Sequence, residues 1–374
     1  MPDSPITVLH LVSWYPSKVH ASLGNFVAEH ILAINTQTKG AVLGAFTADE
    51  DSIDYCLEDG VPVCRVYFRK KIPLLSYLSA LNRGYRQLIS LGYSFDLAHL
   101  HVAYPAGLFL LKLRLPYVIS EHFSAYQKHR KQDLSFNHKL IARLIFNRAS
   151  YIAPVSEQLG DSLKDFGVNT PINTIGNVVN TNVFKYQQKI ISPVFQVLHI
   201  SSLQESTKNI SGIVSAFADF HRKFPLSKLS IGGDGDPTAL INHLREKNID
   251  QDAFRILPAL SKIEVAQEMV ASDCFLLFSH IENQPVVLLE SLCVGRPVIA
   301  TKVGGIPRLV DKSRGILIDA DNQASLIKAL QVMYHNHAGY AHKKMAHIAQ
   351  NEFGYEAIAE KFSTLYTSAL RLNA

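Results

Sequence analysis

The sequence predicts an α/β protein of two domains, each a parallel sheet covered by helices on both faces. Its 374 residues exceed what one ordinary core holds and suit two. The strand-like segments are nearly all apolar instead of alternating, as in sheets buried on both sides. Strand-like and helix-like segments also alternate, first over 6–156 and again from a fresh start over 193–301.

In the first half, "ITVLHLVSWYP" reads as a buried strand and "GNFVAEHILAIN" as a helix after a glycine-containing loop. "GAVLGAF" and "VPVCRVYF" are strands, "PLLSYLSALNRGYRQLISLG" a helix, "FDLAHLHV" a strand and "GLFLLKLRL" a helix. "PYVISEH" and "YIAPVS" are strands on either side of a basic helical region at 135–149. In the second half, "PVFQVLHISSL", "SKLSIGGDGDP", "AFRILPA", "CFLLFS" and "RPVIAT" are strands. Between them lie helices at "NISGIVSAFADFHRKF", "TALINHLREKN", "KIEVAQEMVASD" and the segment ending at Gly295. The boundary is expected within "TNVFKYQQKIISPV", giving domains at 1–186 and 187–355, with 356–374 a C-terminal helix crossing back to the first. Two such sheets would face each other across a cleft at their carboxyl edges, where ligands bind in folds of this class.

Composition narrows the function. Hydrophobic content of 47% and charged content of 18% fit a soluble protein with large buried sheets. No apolar run reaches the length of a membrane span. The start "MPDSPITVLHLV" has an acid where a leader would carry basic residues, so the expected location is cytoplasmic. A net charge of +5 does not imply nucleic acid, and none is expected as a partner. The four cysteines form no C-x-x-C pair, and Cys274 and Cys293 read as buried free thiols. There is no short-period repeat and no low-complexity tract.

The chemistry concentrates in "ENQPVVLLESLCVGRPVIATKVGG", from Glu282 to Gly305. Pro285 can open a helix at its first turn and Gly295 can close it. Glu282 then precedes the helix and Glu290 lies more than a turn inside it, the only charge in an apolar segment. An ionised carboxylate there costs several kcal/mol unless it is paired or hydrogen-bonded. The free amides of Val286 and Val287 make the same helix end an anion site. Two carboxylates flanking a phosphate site suit a nucleotide sugar: amides and a cation for the diphosphate, acceptors for hydroxyls. The competing reading pairs Glu290 with a buried arginine or with another loop.

The E-x7-E from Glu282 to Glu290, followed by "GRPVIATKVGGIP", resembles the signature of the retaining glycosyltransferases of family 4 (glycosyl transferase group 1), which have the GT-B fold. "FDLAHLHVAYPAG", "VISEHFSAY", "YIAPVSEQL", "IGNVVNTNVF", "STKNISGIVSAF" and "LSIGGDGDP" are similar to that family's segments in the same order. The resemblance implies a hexose-type sugar moved from a nucleotide-diphosphate sugar to a saccharide or lipid-linked acceptor, in bacterial-type surface glycan synthesis. It implies that Glu290 holds the donor ribose and that Glu282 contacts the transferred sugar. Lys208 would balance the diphosphate, backbone from Leu257 to Leu260 would lie by the base, and Gly24 would let an N-domain loop approach the phosphates. His122 would contact the transferred sugar or orient the acceptor. The sequence departs from the family at Ser202, where a second cation is often found, and at Arg308, where many relatives have glutamate.

Other readings stand beside this one. His99, His101 and His122 end neighbouring strands and could suggest a metal site, but no carboxylate or cysteine completes a usual set, so no metal is expected. Asp234-Gly235-Asp236 is formally a D-x-D triplet, although the glycines before it suit a turn at a nucleotide pocket. No cofactor beyond the donor is expected. A GT-B nucleotide-sugar epimerase, a phosphorylase, or a degenerate nucleotide-binding protein without activity are the alternatives. Between Gly60 and Phe95 there is no acid, while Arg65, Arg69, Lys70, Lys71, Arg83 and Arg86 stand among aromatics. That stretch either packs as an ordinary helix, with Leu74, Leu78 and Leu81 in the core, or rests on an anionic membrane surface at the inner face of the plasma membrane.

Overall fold

The computed structural model describes residues 5–128, 130–190, 192–246 and 251–373, with the side chains of Lys131, Ala239 and Gln251 excepted. The first four residues, whose acid argued against a leader, and the last two of the helix expected over 238–248 lie outside that range. The chain divides into two units: residues up to Val178 together with those from Tyr355 onward, and Val179–Gly354. The division therefore falls eight residues before the expected 186/187, because Val179 already donates to Phe353 O (2.8 Å) within the second unit.

The N-terminal unit runs β1 (Thr7–Val12), α1 (Asn25–Ile34), β2 (Lys39–Thr47), β3 (Ser52–Glu58), β4 (Val61–Phe68), α2 (Pro73–Ser90), β5 (Leu97–His101), α3 (Gly107–Leu110), β6 (Tyr117–Glu121), α4 (Phe136–Phe146), β7 (Tyr151–Pro154) and α5 (Glu157–Asp165). Its sheet order is β3-β4-β2-β1-β5-β6-β7, parallel except for β3, which pairs antiparallel to β4. Helices α2 to α5 pack on one face, over Leu43, Val66, Leu100 and Ile119. The C-terminal helix, Tyr355–Leu372, packs on the other with α1. It buries Phe362 and Tyr366 against Val8 and Val118, and each side chain of that size contributes about 1.5–3 kcal/mol. The apolar face of α2 joins the core: Leu81 is buried, Leu78 is half-buried, and Gly84 lets the helix close onto Leu43 and Val66.

The C-terminal unit runs β8 (Phe195–Ser201), α6 (Glu205–Lys208), α7 (Ile210–His221), β9 (Ser227–Gly233), α8 (Thr238–Glu246), β10 (Phe254–Ile256), α9 (Lys262–Ala271), β11 (Cys274–Leu277), α10 (Val286–Cys293), β12 (Val298–Thr301), α11 (Ile306–Leu309), β13 (Gly315–Ile318), α12 (Gln323–Asn336) and α13 (His342–Phe353). The terminal helix is α14. The all-parallel sheet has the order β10-β9-β8-β11-β12-β13. Helices α7 and α12 cover one face, and α9, α10 and α13 the other. Cys64, Cys274 and Cys293 are buried free thiols and Cys56 is half-buried.

Buried histidines concentrate in the N-terminal unit: His10, His30, His99, His101 and His122. Desolvation lowers His10 to about 3 and His30 to about 4, and drives His99, His101 and His122 well below the usual imidazole range. The folded pKa lies below the unfolded one, so the unfolded chain takes up protons first. The stability these rings confer is complete above about pH 6.5 and is lost as the pH falls toward 3–4, at up to about 1.4 kcal/mol per pH unit for each ring. Glu121, raised to about 7 by burial, acts in the opposite sense, but it is one group against five. Acid should therefore unfold the N-terminal unit first. The sole tryptophan, Trp14, reports on that unit, and its fluorescence transition should come at higher pH than loss of exchange protection in β8 and β11.

Candidate active site

In each unit the direction in which strands are added to the sheet reverses between two adjacent parallel strands, β1/β5 in the first and β8/β11 in the second. Connections there leave toward opposite faces and open a crevice at the carboxyl ends. In the C-terminal unit the crevice is bounded by the loop from Ser201 to Lys208 and the loop from Phe278 to Val286.

The first loop is built on a buried ring. His199 lies against Leu276 O at 2.8 Å through Nδ1 and Ser201 Oγ at 2.8 Å through Nε2. A carbonyl only accepts, so Nδ1 carries the proton and Nε2 accepts from the Ser201 hydroxyl. Burial pushes this imidazole down to about 4 and keeps it neutral. Ser201 Oγ then accepts from Leu203 N–H at 3.1 Å and turns the chain. The Gly-Asp-Gly turn after β9 lies against this loop so closely that a Cβ on Gly233 would fall 1.7 Å from Ser201 O, and one on Gly235 2.3 Å from Ser202 O. Those glycines are required by backbone contact. Asp236 accepts from the Thr238 amide (2.9 Å) and hydroxyl (2.6 Å) at the start of α8, and these bonds hold its carboxyl below the usual range. The second acid of the D-x-D triplet thus closes a local side-chain turn onto the first residue of α8.

Lys208 ends α6 and extends to Glu282, Nζ to Oε1 2.5 Å, with both side chains largely buried. The same oxygen accepts from Ser279 Oγ at 2.8 Å, and Ser279 O in turn accepts from Thr301 Oγ1 at 2.7 Å. The two loops are joined directly, since His280 N–H donates to Thr207 O at 2.9 Å. Gly304, with φ +58°, packs its α-carbon where a Cβ would sit 1.9 Å from Glu282 O, and Gly305 N–H donates to Asn283 O at 2.6 Å. The "VGG" turn thereby fixes the backbone that presents Glu282.

Pro285 is the residue capping α10, one position before the first turn expected for it, and Val286 begins the helix. The amides of Val286 and Val287 belong to the first turn, which has no earlier intrahelical acceptor. Gly295, at φ +77°, terminates the helix in the left-handed conformation. Glu290 is half-buried on α10, so its desolvation is smaller than its apolar neighbours suggested. Its charge raises the pKa of the Cys293 thiol below it, after burial, the larger cause. Leu257 donates its amide to Ile231 O (2.8 Å), extending the β9–β10 pairing; Leu260 is half-buried against the core. Arg308 lies exposed on α11.

In the N-terminal unit the predicted residues separate. His99 and His101 stack at 4.0 Å between ring centroids, and His10, on the neighbouring strand, completes the cluster with Nδ1 3.2 Å from His101 Nε2. His99 is already bonded at both nitrogens, to Tyr366 Oη (2.6 Å) and Ser120 Oγ (2.8 Å). His122 lies elsewhere, beside Phe26 (4.7 Å) and His30 (5.4 Å between centroids). The trio that comes together is thus His10, His99 and His101, all wholly buried. Gly24, at φ +80°, begins α1 and would drive a Cβ to 2.5 Å from Trp14 C, so its first duty is to let α1 start against the Trp14–Tyr15 backbone. His199, Ser279 and Glu121 were not read from the sequence. The only available signal was a polar residue in an apolar context: His199 inside β8, Ser279 just after β11 and Glu121 at the end of β6.

Residues 42–183 match the Glycosyltransferase Family 4 domain, and residues 194–336 match the domain described as Glycosyl transferases group 1. The chain belongs to glycosyltransferase family 4. Among curated relatives of this family 4 chain, N-acetyl-alpha-D-glucosaminyl L-malate synthase of Bacillus anthracis is 28% identical over 217 residues, 54% of this chain and 55% of that protein. Alpha-monoglucosyldiacylglycerol synthase of Streptococcus pneumoniae is 23% identical over 73% of this chain and 68% of that protein. The chain spans about half the length of the first curated relatives it matches. Sucrose-phosphate synthase from Thermosynechococcus elongatus superposes with a TM-score of 0.80 at 18% identity, covering 98% of this chain and 100% of that one. Anabaena HepE in complex with UDP-glucose does so with 0.72 at 17%, covering 97% and 100%. The fold of the family 4 chain is GT-B.

The glycine contact gives a direct test in this family 4 chain. Gly233→Ala must push β9 from β8 and should destabilise the C-terminal unit by about 3 kcal/mol or more, above the usual overpacking cost because the obstacle is backbone. The urea midpoint of that unit should fall, and the transition of Trp14 in the other unit should hardly move.

Proposed function

We propose that this chain is a retaining, nucleotide-sugar-dependent hexosyltransferase acting on a saccharide or lipid-linked acceptor. The observation carrying this reading is the joined set of Lys208, Glu282 and the first turn of α10 at the β8/β11 crevice. A cation and backbone amides there suit a diphosphate, and the E-x7-E suits hydroxyls on either side of it. Lys208 would turn from Glu282 to the diphosphate, freeing the Glu282 carboxylate for the transferred sugar, and Glu290 would hold the ribose. Relatives named N-acetyl-alpha-D-glucosaminyl L-malate synthase and alpha-monoglucosyldiacylglycerol synthase favour a glycosyl product, and a GT-B neighbour in complex with UDP-glucose favours this class of donor.

In the reaction, the bond between the sugar's anomeric carbon and the diphosphate oxygen breaks and a nucleoside diphosphate leaves. The acceptor oxygen bonds to that carbon on the same face, and its proton passes to the departing phosphate oxygen. Lys208 and the amides of Val286 and Val287 stabilise the charge growing on the leaving group. His122 serves the sugar and acceptor side. No divalent ion is needed, since that charge already has a cation and a helix end, and Asp236 is committed to Thr238.

A thermal-shift panel of nucleotide sugars tests donor binding: a ligand at 100 times its Kd adds about 2.7 kcal/mol to the unit that binds it. Glu290→Gln should weaken nucleoside diphosphate binding in calorimetry. Glu282→Gln should lower kcat more than affinity. Unaltered affinity in the Glu290 variant removes the ribose assignment. NMR of the product should find the donor's anomeric configuration kept, and saturating chelator should leave the rate unchanged.

The acceptor side has a candidate surface. Helix α4 exposes Phe136 (78%), Leu140 (59%) and Leu144 (44%), one turn apart on one stripe. Lys139, Arg143 and Arg148 accompany it, and Lys128 precedes it. Among the described residues no helix is long and apolar enough to cross a membrane. We take this stripe, with Ile72 and Leu75 at the start of α2, as a dock on an anionic leaflet, where each basic residue adds on the order of 1 kcal/mol. Liposome sedimentation should require anionic lipid, weaken at high salt, and fail for a Phe136→Ser, Leu140→Ser double variant. Equal binding to neutral vesicles overturns the dock.

A further inference from the structure

We infer that Glu121 is a positioning residue of the N-terminal unit: its buried carboxylate fixes the turn after β5 and the turn that carries His122 as one piece. The inference rests on the reading above, in which His122 serves sugar transfer.

Glu121 is the last residue of β6 and is fully buried. Its Oε1 accepts from the amides of His122 and Phe123, each at 2.8 Å. Its Oε2 accepts from the amide of Ala103 at 3.0 Å, across the sheet in the turn after β5. An ionised carboxylate is an acceptor only, with room for about four donors, so three converging amides match it and match no other side chain of that size. The partners are backbone, so what the carboxylate sets is the path of two turns. The β5 turn needs such support: Val102 sits at φ +69°, where a β-branched residue is strained. Ser13 Oγ donates to Val102 O (3.1 Å), and Val102 N–H donates to Ser120 O (2.9 Å), so the β1 end joins the same assembly.

Protonation would place an O–H against an N–H and break one of the three bonds. The ionisable groups facing the carboxylate are His122 beside it, Tyr126 on the 3-10 turn Ser124–Tyr126, Tyr104 in the β5 turn, and His138 of α4 behind Tyr126, 3.0 Å from its hydroxyl. His122 and His138 are lowered by burial, and Tyr126 is raised, so these three stay neutral near pH 7. Desolvation outweighs the three amides and lifts Glu121 to about 7, which brings its ionisation into the working range. Between about pH 4.5 and 7 the folded chain holds this proton more tightly than the unfolded one. The ionised form therefore costs stability above pH 7 and is kept for the geometry it imposes.

The test has two arms. In the first, kcat of the wild-type enzyme should rise with pH through a midpoint near 7. Glu121→Gln, the same shape but with a donor where an acceptor is needed, should lose more than tenfold in kcat and lose that limb, with donor KM within twofold. Glu121→Asp keeps the charge, yet one methylene less should prevent bridging to Ala103, and its kcat should fall likewise. The second arm needs no transfer. Exchange protection factors of segments 102–106 and 122–127 in the wild-type chain should fall together as the pH drops through 7, while those of β8 and β11 hold. Glu121→Gln turning over within threefold of wild type on the same pH profile overturns the inference, as does protection in the two segments that ignores pH. Wild-type protein that transfers no sugar from any donor defeats the functional reading, and the exchange arm still decides the role of Glu121.

Discussion

The order of the parallel strands is the constraint from which the rest follows. Leaving aside the antiparallel β3, each unit arranges its six parallel strands so that the first and fourth are neighbours, β1 with β5 and β8 with β11. Right-handed crossovers then send the chain to opposite faces of the sheet on the two sides of that pair, and the loops at the carboxyl ends must diverge. The residues of interest lie where this happens or one strand beyond: Lys208 and Glu282 after β8 and β11, Val102 and Ala103 after β5, His122 after β6. A helix start, a lysine and an acid more than seventy residues apart in sequence meet because two strands pair, and no local preference would bring them together.

The two units stabilise polar groups at these edges by different means. In the C-terminal unit a cation meets an anion, and Ser279 completes the acid's coordination. A largely buried pair of this sort is weak evidence for stability, since its desolvation offsets most of its attraction. Under the proposed function, its value would be that either partner can be exchanged for a charged ligand. In the N-terminal unit the buried histidines are kept neutral instead. His99 is satisfied by Tyr366 and Ser120, and His10 faces His101 ring to ring. The burial that makes these rings poor bases also makes the packing dependent on their remaining uncharged. Tyr366 comes from α14, so the C-terminal segment of the chain supplies a hydrogen bond in the middle of the first sheet.

Much of this was legible in the sequence. Apolar runs marked β4, β6 and β11 to within two residues and placed β1 and β8 with overlong ends, because strands buried on both faces have no polar alternation to blur them. The β3 strand was missed because five of its residues are exposed and nothing in "SIDYCLE" marks an edge except its pairing with β4. The helix expected over 107–115 stops at Leu110, since "KLRLP" leads into a proline that favours extended backbone before it. No strand or helix was read between 306 and 354, where α12 and α13 carry mixed polar faces. In the site, Glu282 and the α10 start stood out by residue pattern, and Lys208 through the family resemblance. Their supports were not: His199, Ser279 and Thr301 act through partners 22 to 77 residues distant, a relation that the pairing of strands creates. Glu290, the only charge in its apolar segment, is half-buried: the sequence displays its neighbours and hides which side of the helix faces out.

Glu121 shows why such supports escape a reading of motifs. By pattern it is one polar residue at the end of "YVISE", and the attention falls on the histidine after it. Only the register of β5 against β6, which sets His101 beside Ser120, brings the Ala103 amide within reach of its carboxylate. A shorter acid would leave that amide unbonded, an amide side chain would oppose it with a donor, and an apolar residue would leave three buried N–H groups without acceptors, at about 1–3 kcal/mol each. The strain at Val102 and the burial of a charge are thus opposed by the same three bonds. A carboxylate in that place, with no cation among the partners that fix it, is better explained by the two turns it joins than by any gain in stability.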